Sequence, residues 1–249
     1  AVLAGHRPLL ENIASEWMAQ NWDRLFGGPL GAVTFAQTLK YSNITPLLAD
    51  RGGRRLLGAA RRGSGGAVQL ASIAYLRGYS GFAFDDIVEQ LVGADSALEA
   101  FCREIPVRVL EAPSDSEAMR HTVDSWESLV TVPPPRISVK VLRGLGMWAE
   151  VKNVDDEIWL RLTQRTVEAT HGEIEGGVRV AERCRDLQPS TAGLSILLRL
   201  LGHGERWEQG RIDALAGEAL RVAVKEGTTD RVVDELRQRL IARGRHDVV

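Results

Sequence analysis

The chain has 249 residues, of which 44% are apolar and 26% are charged, and this composition is typical of globular domains rather than disordered chains. No apolar stretch approaches the roughly 18 residues that a membrane-spanning helix needs. Two cysteines, Cys102 and Cys184, are too few for a disulfide framework or a cysteine-based metal site. We therefore expect a soluble cytoplasmic protein with no membrane contact and no cofactor.

The charged residues are distributed unevenly along the chain. Of the 31 basic residues, four are lysines and 27 are arginines. Residues 1–66 carry eight basic and four acidic side chains, whereas residues 67–131 carry four basic and eleven acidic ones. A basic segment followed by an acidic one favours self-association or another charge-directed assembly.

The first predicted helix begins at Pro8 and has two adjoining apolar faces. One face holds Leu10, Ile13, Trp17 and Leu25, and the other holds Met18, Trp22 and Phe26. Two apolar faces predict a helix that is buried on both sides. A second helix is expected over residues 32–40, and Thr45 and Pro46 are typical of the N-cap and first position of a third.

Residues 51–66 are rich in arginine and glycine, and glycine weakens helices, so we predict an Arg/Gly-rich loop there. The candidate binding residues in this segment are Arg51, Arg54, Arg55, Arg61 and Arg62. Arginine forms paired hydrogen bonds to phosphate, and glycine lets backbone N–H groups approach an anion. Tyr41 and Tyr75 could add stacking surfaces for bases.

Three interpretations of the arginine cluster remain open at this stage. The arginines contact nucleic acid or another polyanion, they contact an acidic protein surface, or they are solvated without a partner. The acidic surface in the second interpretation could belong to residues 67–131 of the same chain or of a neighbouring copy.

Beyond residue 66 the apolar periodicity predicts further helices on both sides of a proline run at Pro133, Pro134 and Pro135. Three prolines favour a stiff extended connector. We therefore predict an N-terminal helical lobe over residues 1–132, a connector at 133–136 and a C-terminal helical lobe over 137–249. Residues 137–152 are compatible with a β-hairpin or with a helix. The fold expected is mainly α, a two-lobed bundle of about ten to twelve helices.

An alternative function rests on Asp85, Asp86 and Glu89, which follow the pattern DDxxE. On a helix these carboxylates share one face and could hold Mg²⁺ against a diphosphate. The five residues 85–89 resemble the first metal motif of class I terpene synthases, an all-helical family. The second metal motif of that family has no match in this chain.

The function favoured by the sequence is that of a non-enzymatic helical assembly or adaptor protein. Its arginine-rich segment is expected to contact nucleic acid or an acidic partner, and self-association is expected as well. The alternative is a Mg²⁺-dependent enzyme that acts on a diphosphate through residues 85–89. No nucleotide-binding glycine motif or nucleophile elbow is present in the sequence.

Overall fold

The structure is a computed structural model that describes residues 6–39, 43–131, 137–187 and 190–246. It is 76% helical, and the described residues form fourteen α-helices, one 3-10 helix and no strand. The predicted mainly α-helical fold is confirmed. The helix count exceeds the expected one partly because Trp22–Phe26 and Val139–Arg143 are only five residues long, too short for apolar periodicity to single out. None of the described helices is long and apolar enough to cross a membrane.

The chain divides into two compact units, residues 1–108 and 109–249. The helices of the first unit are α1 Arg7–Gln20, α2 Trp22–Phe26, α3 Gly28–Leu39, α4 Pro46–Arg61, α5 Gly65–Leu76, α6 Phe84–Leu91 and α7 Asp95–Val109, which ends at the division. The helices of the second unit are α8 Glu117–Thr131, α9 Val139–Arg143, α10 Asp156–Ala169, α11 Gly177–Asp186, α12 Thr191–Leu200, α13 Arg206–Lys225 and α14 Arg231–Ala242. The 3-10 helix Gly144–Glu150 follows α9 directly.

The first unit is built around α4, which packs against α5, α6 and α1. An aromatic cluster of Trp22, Phe26 and Phe35 lies in its core, with ring centroids 4.6 to 6.3 Å apart. The predicted start of α4 is confirmed, because Oγ1 of Thr45 accepts a hydrogen bond from the Leu48 amide at 3.2 Å and Pro46 opens the helix.

The prediction of a loop over residues 51–66 was wrong. Helix α4 continues to Arg61, and only residues 62–64 separate it from α5. The glycines are tolerated because α4 buries an apolar face that includes Leu48 and Leu56. Gly52 lies on that face, where a Cβ would be 2.9 to 3.1 Å from side-chain atoms of Leu48, Trp22 and Phe35. Close packing at Gly52 therefore offsets the weak helix propensity of glycine.

In the second unit each of the longer helices packs against one or more of the others. Helix α10 contacts α8 and α12, α11 contacts α13, and α12 contacts α14. Its core contains Trp126, Trp148 and Trp159, all fully buried, with the first two rings 5.2 Å apart between centroids. These tryptophans are core residues of the unit.

The hairpin considered for residues 137–152 is not found in the described structure. Residues 139–143 form α9 and residues 144–150 form the 3-10 helix. Val141, Leu145 and Trp148 are all buried, which is the spacing of a helix rather than of a strand. The burial of side chains at three- and four-residue intervals therefore accounts for a helical structure in this segment.

The division between the units falls earlier than the predicted connector. It lies between Arg108 and Val109, and α8, which precedes the proline run, packs on α10 in the second unit. Residues 132–136, and with them the three prolines, lie outside the described residues.

Candidate anion-binding surface

Five arginines lie on the exposed side of α4 and at its C-cap, and we call them the arginine stripe: Arg51, Arg54, Arg55, Arg61 and Arg62. Their spacing repeats every three to four residues, with Gly58 filling the middle position, so they follow one side of the helix. The opposite side of α4 is buried and carries Leu48, Ala49, Leu56, Leu57, Ala59 and Ala60. At about 1.5 Å per residue, the stripe is about 16 Å long.

The carboxylates of the unit neutralise only part of the arginine stripe. Nε of Arg51 lies 3.3 Å from Oδ2 of Asp50, and Nη2 of Arg55 lies 4.0 Å from Oδ1 of Asp23. Arg55 also donates a hydrogen bond to the carbonyl oxygen of Phe26. Among the described residues, Arg54, Arg61 and Arg62 form no ion pair with a carboxylate. Three positive charges of the stripe therefore face solvent without a counter-charge at ion-pair distance in the described structure.

Arg61 is held in place by a backbone contact. Its Nη1 donates a hydrogen bond to the carbonyl oxygen of Gln90 at 2.7 Å, near the C-terminus of α6. A guanidinium is favourable at that position because the last carbonyl groups of a helix carry partial negative charge. This hydrogen bond places the Arg61 guanidinium beside the C-terminus of α6, next to the segment that joins α6 to α7.

Arg61 and Arg62 line an open surface depression of about 570 Å³. Ala94, Asp95, Ser96 and Ala97 line another part of it, where α7 begins. The N-terminus of a helix favours negative charge, and here the Asp95 carboxylate already lies in the first turn. An anion in this depression would meet two guanidinium groups and one carboxylate.

The stacking role expected for Tyr75 was wrong, since its side chain is buried. Its ring lies 5.9 Å from those of Phe84 and Phe101, between centroids. Tyr75 is therefore a core residue of the first unit. Tyr41 lies outside the described residues.

The acidic segment Asp85, Asp86 and Glu89 lies on the exposed side of α6, with Ile87 and Leu91 buried opposite. Asp85 and Asp86 occupy the first turn, where the helix dipole favours carboxylates. The part of the chain that the structure describes contains no group of three His, Cys, Asp or Glu side chains arranged to hold a metal ion. Among the described residues, no observation favours the diphosphate hypothesis over a simple stabilisation of the helix N-terminus by Asp85 and Asp86.

Neither cysteine is placed as a nucleophile. Both thiols are free and buried. Burial, with a smaller contribution from the Glu99 carboxylate, raises the pKa of Cys102 to about 12, and burial also raises the pKa of Cys184. A thiol with a raised pKa stays protonated and unreactive at neutral pH.

One arginine with a specific environment was missed by the sequence analysis. Arg183 of α11 lies over the Trp159 ring, 4.5 Å from its centroid, and donates to the carbonyl oxygens of Val151 at 2.7 Å and Val154 at 3.0 Å. Desolvation by burial lowers its pKa, although the nearby Asp156 carboxylate acts in the opposite direction. These contacts assign Arg183 to the support of the loop before α10. No local sequence pattern marks it, because its partners are backbone atoms about 30 residues away.

Comparison of the chain with models of known protein families, with curated proteins and with solved structures gave no match.

Proposed function

We propose that this chain is a non-enzymatic helical assembly or adaptor protein whose arginine stripe contacts an anionic polymer. The observation that supports the proposal most directly is the set of five arginines on one side of α4, three of which lack a carboxylate partner among the described residues. The helix holds the backbone positions of these arginines at fixed intervals, so several anionic groups can be bound at once.

Nucleic acid is the anionic partner that we test first. Arginine has a planar fork of donors that matches a phosphate group, and a stripe about 16 Å long can reach several successive phosphates of one strand. An acidic protein surface is the second partner to test. The acids of residues 67–131 are less favoured as its internal partner, because none of them forms an ion pair with the stripe in the described residues.

Self-association and a cytoplasmic location belong to the same proposal. Two free buried thiols are compatible with a reducing compartment. Self-association would place several stripes on one particle and would raise its apparent affinity for a polymer.

The test is a salt titration of binding to a fluorescent 20-nucleotide single strand. In the variant with Arg54→Gln, Arg61→Gln and Arg62→Gln, we expect weaker binding at every salt concentration. The slope of log K against log salt should fall in magnitude by about 2, since each lost phosphate contact contributes about 0.7 for a single strand. A circular dichroism melt checks that the variant is folded.

The matched control changes the same number of charges in the second unit. Arg206, Arg221 and Arg239 are exposed, and replacing them with glutamine should leave the affinity and its salt slope close to those of the wild-type chain. An equal loss of oligonucleotide affinity in both variants would indicate nonspecific electrostatic attraction and would overturn the role of the arginine stripe. Wild-type binding to polyglutamate but not to the oligonucleotide would identify an acidic protein as the partner.

A further inference from the structure

Ser64 lies in the short linker between α4 and α5, two residues after the last arginine of the stripe. Arg61 and Arg62 occupy the third and second positions before it, and no other serine or threonine in the sequence has arginine at both of these positions. One large class of serine kinases selects substrates with this pattern, because carboxylates of the kinase pair with the two guanidinium groups. The sequence before Ser64 therefore has the charge pattern of a substrate for an arginine-directed kinase.

The linker presents Ser64 in a form that such a kinase can bind. Arg62, Gly63 and Ser64 lie outside the helices, and the side of the linker at Arg61, Arg62 and Gly63 is exposed, whereas Ser64 itself is half-buried. Gly63 has φ of +85°, and no atom lies within 4 Å of the position that its Cβ would take. The sequence on both sides of Ser64 is rich in glycine, which weakens local structure. Opening of the linker and the last turn of α4 is therefore sufficient to give the extended backbone that a kinase binds.

The hydroxyl of Ser64 does not cap α5. Ser64 is the N-cap residue of that helix, and its carbonyl oxygen accepts hydrogen bonds from the amides of Ala67 and Val68, at 3.0 and 3.1 Å. Its side chain makes no capping hydrogen bond, whereas the side chain of Thr45 caps α4. Serine at an N-cap ordinarily uses its hydroxyl in this way. Modification of the Ser64 hydroxyl therefore breaks no capping hydrogen bond of α5.

A phosphate on Ser64 would lie beside two arginines of the stripe that form no ion pair with a carboxylate among the described residues. The linker and the first turn of α5 line the same surface depression as Arg61 and Arg62. The charged side chains of that depression are these two arginines and Asp95, two positive groups and one negative, so its net charge is +1. Phosphoserine carries a charge of about −1.5 to −2 at neutral pH and presents strong acceptor oxygens. The phosphate would therefore pair with the guanidinium groups and make the net charge of the depression negative.

We propose that Ser64 is phosphorylated by an arginine-directed serine kinase and that the phosphate releases an anionic polymer from the arginine stripe. The kinase transfers the γ-phosphoryl group of ATP to Oγ of Ser64. A bond forms between that oxygen and the γ-phosphorus, the bond from the γ-phosphorus to the bridging oxygen of ADP breaks, and the hydroxyl proton is released. The release of polymer rests on the proposed function, because it requires polymer on the stripe, whereas the role of Ser64 as acceptor does not.

The first test is phosphorylation of the folded full chain by the catalytic subunit of the cyclic-AMP-dependent kinase, an arginine-directed enzyme, with ATP and Mg²⁺. Mass spectrometry of the chain and of its peptides should show one phosphoryl group, on Ser64. Ser64→Ala should abolish this incorporation. Arg61→Gln with Arg62→Gln should slow it about tenfold or more, since two guanidinium contacts with the kinase are lost.

Ser80 is the matched comparison within the same chain. It is exposed, and of the two arginine positions only the third before it is filled, by Arg77. Phosphate should therefore appear on Ser80 about tenfold more slowly than on Ser64. Absence of phosphate from Ser64, or equal rates at the two serines, would overturn Ser64 as a specific acceptor.

The second test repeats the oligonucleotide titration on the chain phosphorylated at Ser64. The affinity should fall about tenfold, and the slope of log K against log salt should fall in magnitude by about 1.4, because two phosphate contacts of about 0.7 each are lost. The Ser64→Ala chain, treated with the same kinase and ATP, should bind as the untreated wild-type chain does. Unchanged affinity after complete modification of Ser64 would overturn the release of polymer.

The two tests also separate this proposal from the proposed function. A wild-type chain that accepts phosphate on Ser64 but binds no oligonucleotide would leave the acceptor serine standing and overturn the anion proposal together with the release. Oligonucleotide binding that depends on the arginine stripe, in a chain that accepts no phosphate on Ser64, would overturn the phosphorylation alone.

Discussion

Nε1 of Trp126 donates a hydrogen bond to Oγ1 of Thr166 at 3.0 Å and so joins α8 to α10 in the second unit. Both side chains are buried, and the Thr166 hydroxyl in turn donates to the carbonyl oxygen of Leu162 at 2.8 Å. The indole and the hydroxyl are thus both satisfied away from water. The bond therefore links α8 to another helix of the second unit, although α8 precedes the proline run at 133–135 in the sequence.

Thr166→Val should lower the free energy of unfolding by about 1–3 kcal/mol, because it leaves the buried Trp126 N–H without an acceptor. Thr163, on the same helix, is a matched control, since its buried hydroxyl has no hydrogen-bond partner in the described structure. Thr163→Val should therefore be neutral or stabilising. Urea unfolding followed by circular dichroism measures both. Equal destabilisation by the two variants would contradict the role assigned to the Trp126 bond.

Gly52 and Gly58 lie in the same helix but should respond oppositely to alanine. At Gly52 a Cβ would be 2.9 to 3.1 Å from three buried side chains, so Gly52→Ala should lower stability by up to about 2 kcal/mol through overpacking. At Gly58 the nearest group is Nη1 of Arg62, at 3.5 Å, so Gly58→Ala should raise stability by about 0.5–1 kcal/mol through helix propensity. A loss at Gly58 as large as that at Gly52 would argue against a helix over residues 46–61.

Gly146 faces backbone, which cannot move aside as a side chain can. A Cβ at this position would be 1.7 Å from the carbonyl oxygen of Glu175, and Gly146→Ala should destabilise the second unit by at least about 3 kcal/mol. Gly210 in α13 has no atom within 4 Å of its Cβ position, so Gly210→Ala should be stabilising. Thermal melts compare the two, and similar melting temperatures would contradict the close contact at Gly146.

His171 has φ of +53°, in the left-handed region that non-glycine residues occupy at an energetic cost. His171→Gly should therefore raise the free energy of unfolding by up to about 1 kcal/mol. Glycine relieves the backbone strain, and the greater conformational entropy that it gives the unfolded chain offsets part of that gain. The neighbouring Gly172→Ala should do the reverse, because a Cβ there would be 2.1 Å from the carbonyl oxygen of Arg199. An increase of a few degrees in melting temperature for the first variant checks the prediction.

Neither thiol should react with Ellman's reagent at pH 8 in the folded protein, and both should react in urea. Burial is the main cause that raises the pKa of Cys102 to about 12 from an ordinary value of 9.0. Above pH 9 the unfolded chain therefore releases a thiol proton that the folded chain retains, and the free energy of unfolding falls as pH rises toward 12. Cys102→Ala should weaken that decline. Fast labelling of one thiol in the folded state would contradict the burial of both cysteines.

Some local features could be predicted because they depend on neighbouring residues alone. Thr45 and Pro46 mark the start of α4 correctly, since capping involves atoms only three residues apart. The sequence indicated the five arginines as candidate binding residues, but it did not predict that they lie on one side of a helix. Glycine at 52 and 58 disfavours a helix locally by about 1 kcal/mol each, and no nearby residue indicates that Trp22 and Phe35 will pack against Gly52.

The sequence by itself determined the helical class of the protein, because the apolar spacing and capping signals act within a few residues. Only the tertiary structure decided that residues 46–61 form one helix and that the arginines share one side of it. It also decided that α8 belongs to the second unit and that Ile13 and Trp17 remain open. Local propensities differ by about 1 kcal/mol per residue, whereas burial of a large apolar side chain contributes about 1.5–3 kcal/mol. Contacts between residues distant in sequence therefore override local preference wherever the two conflict.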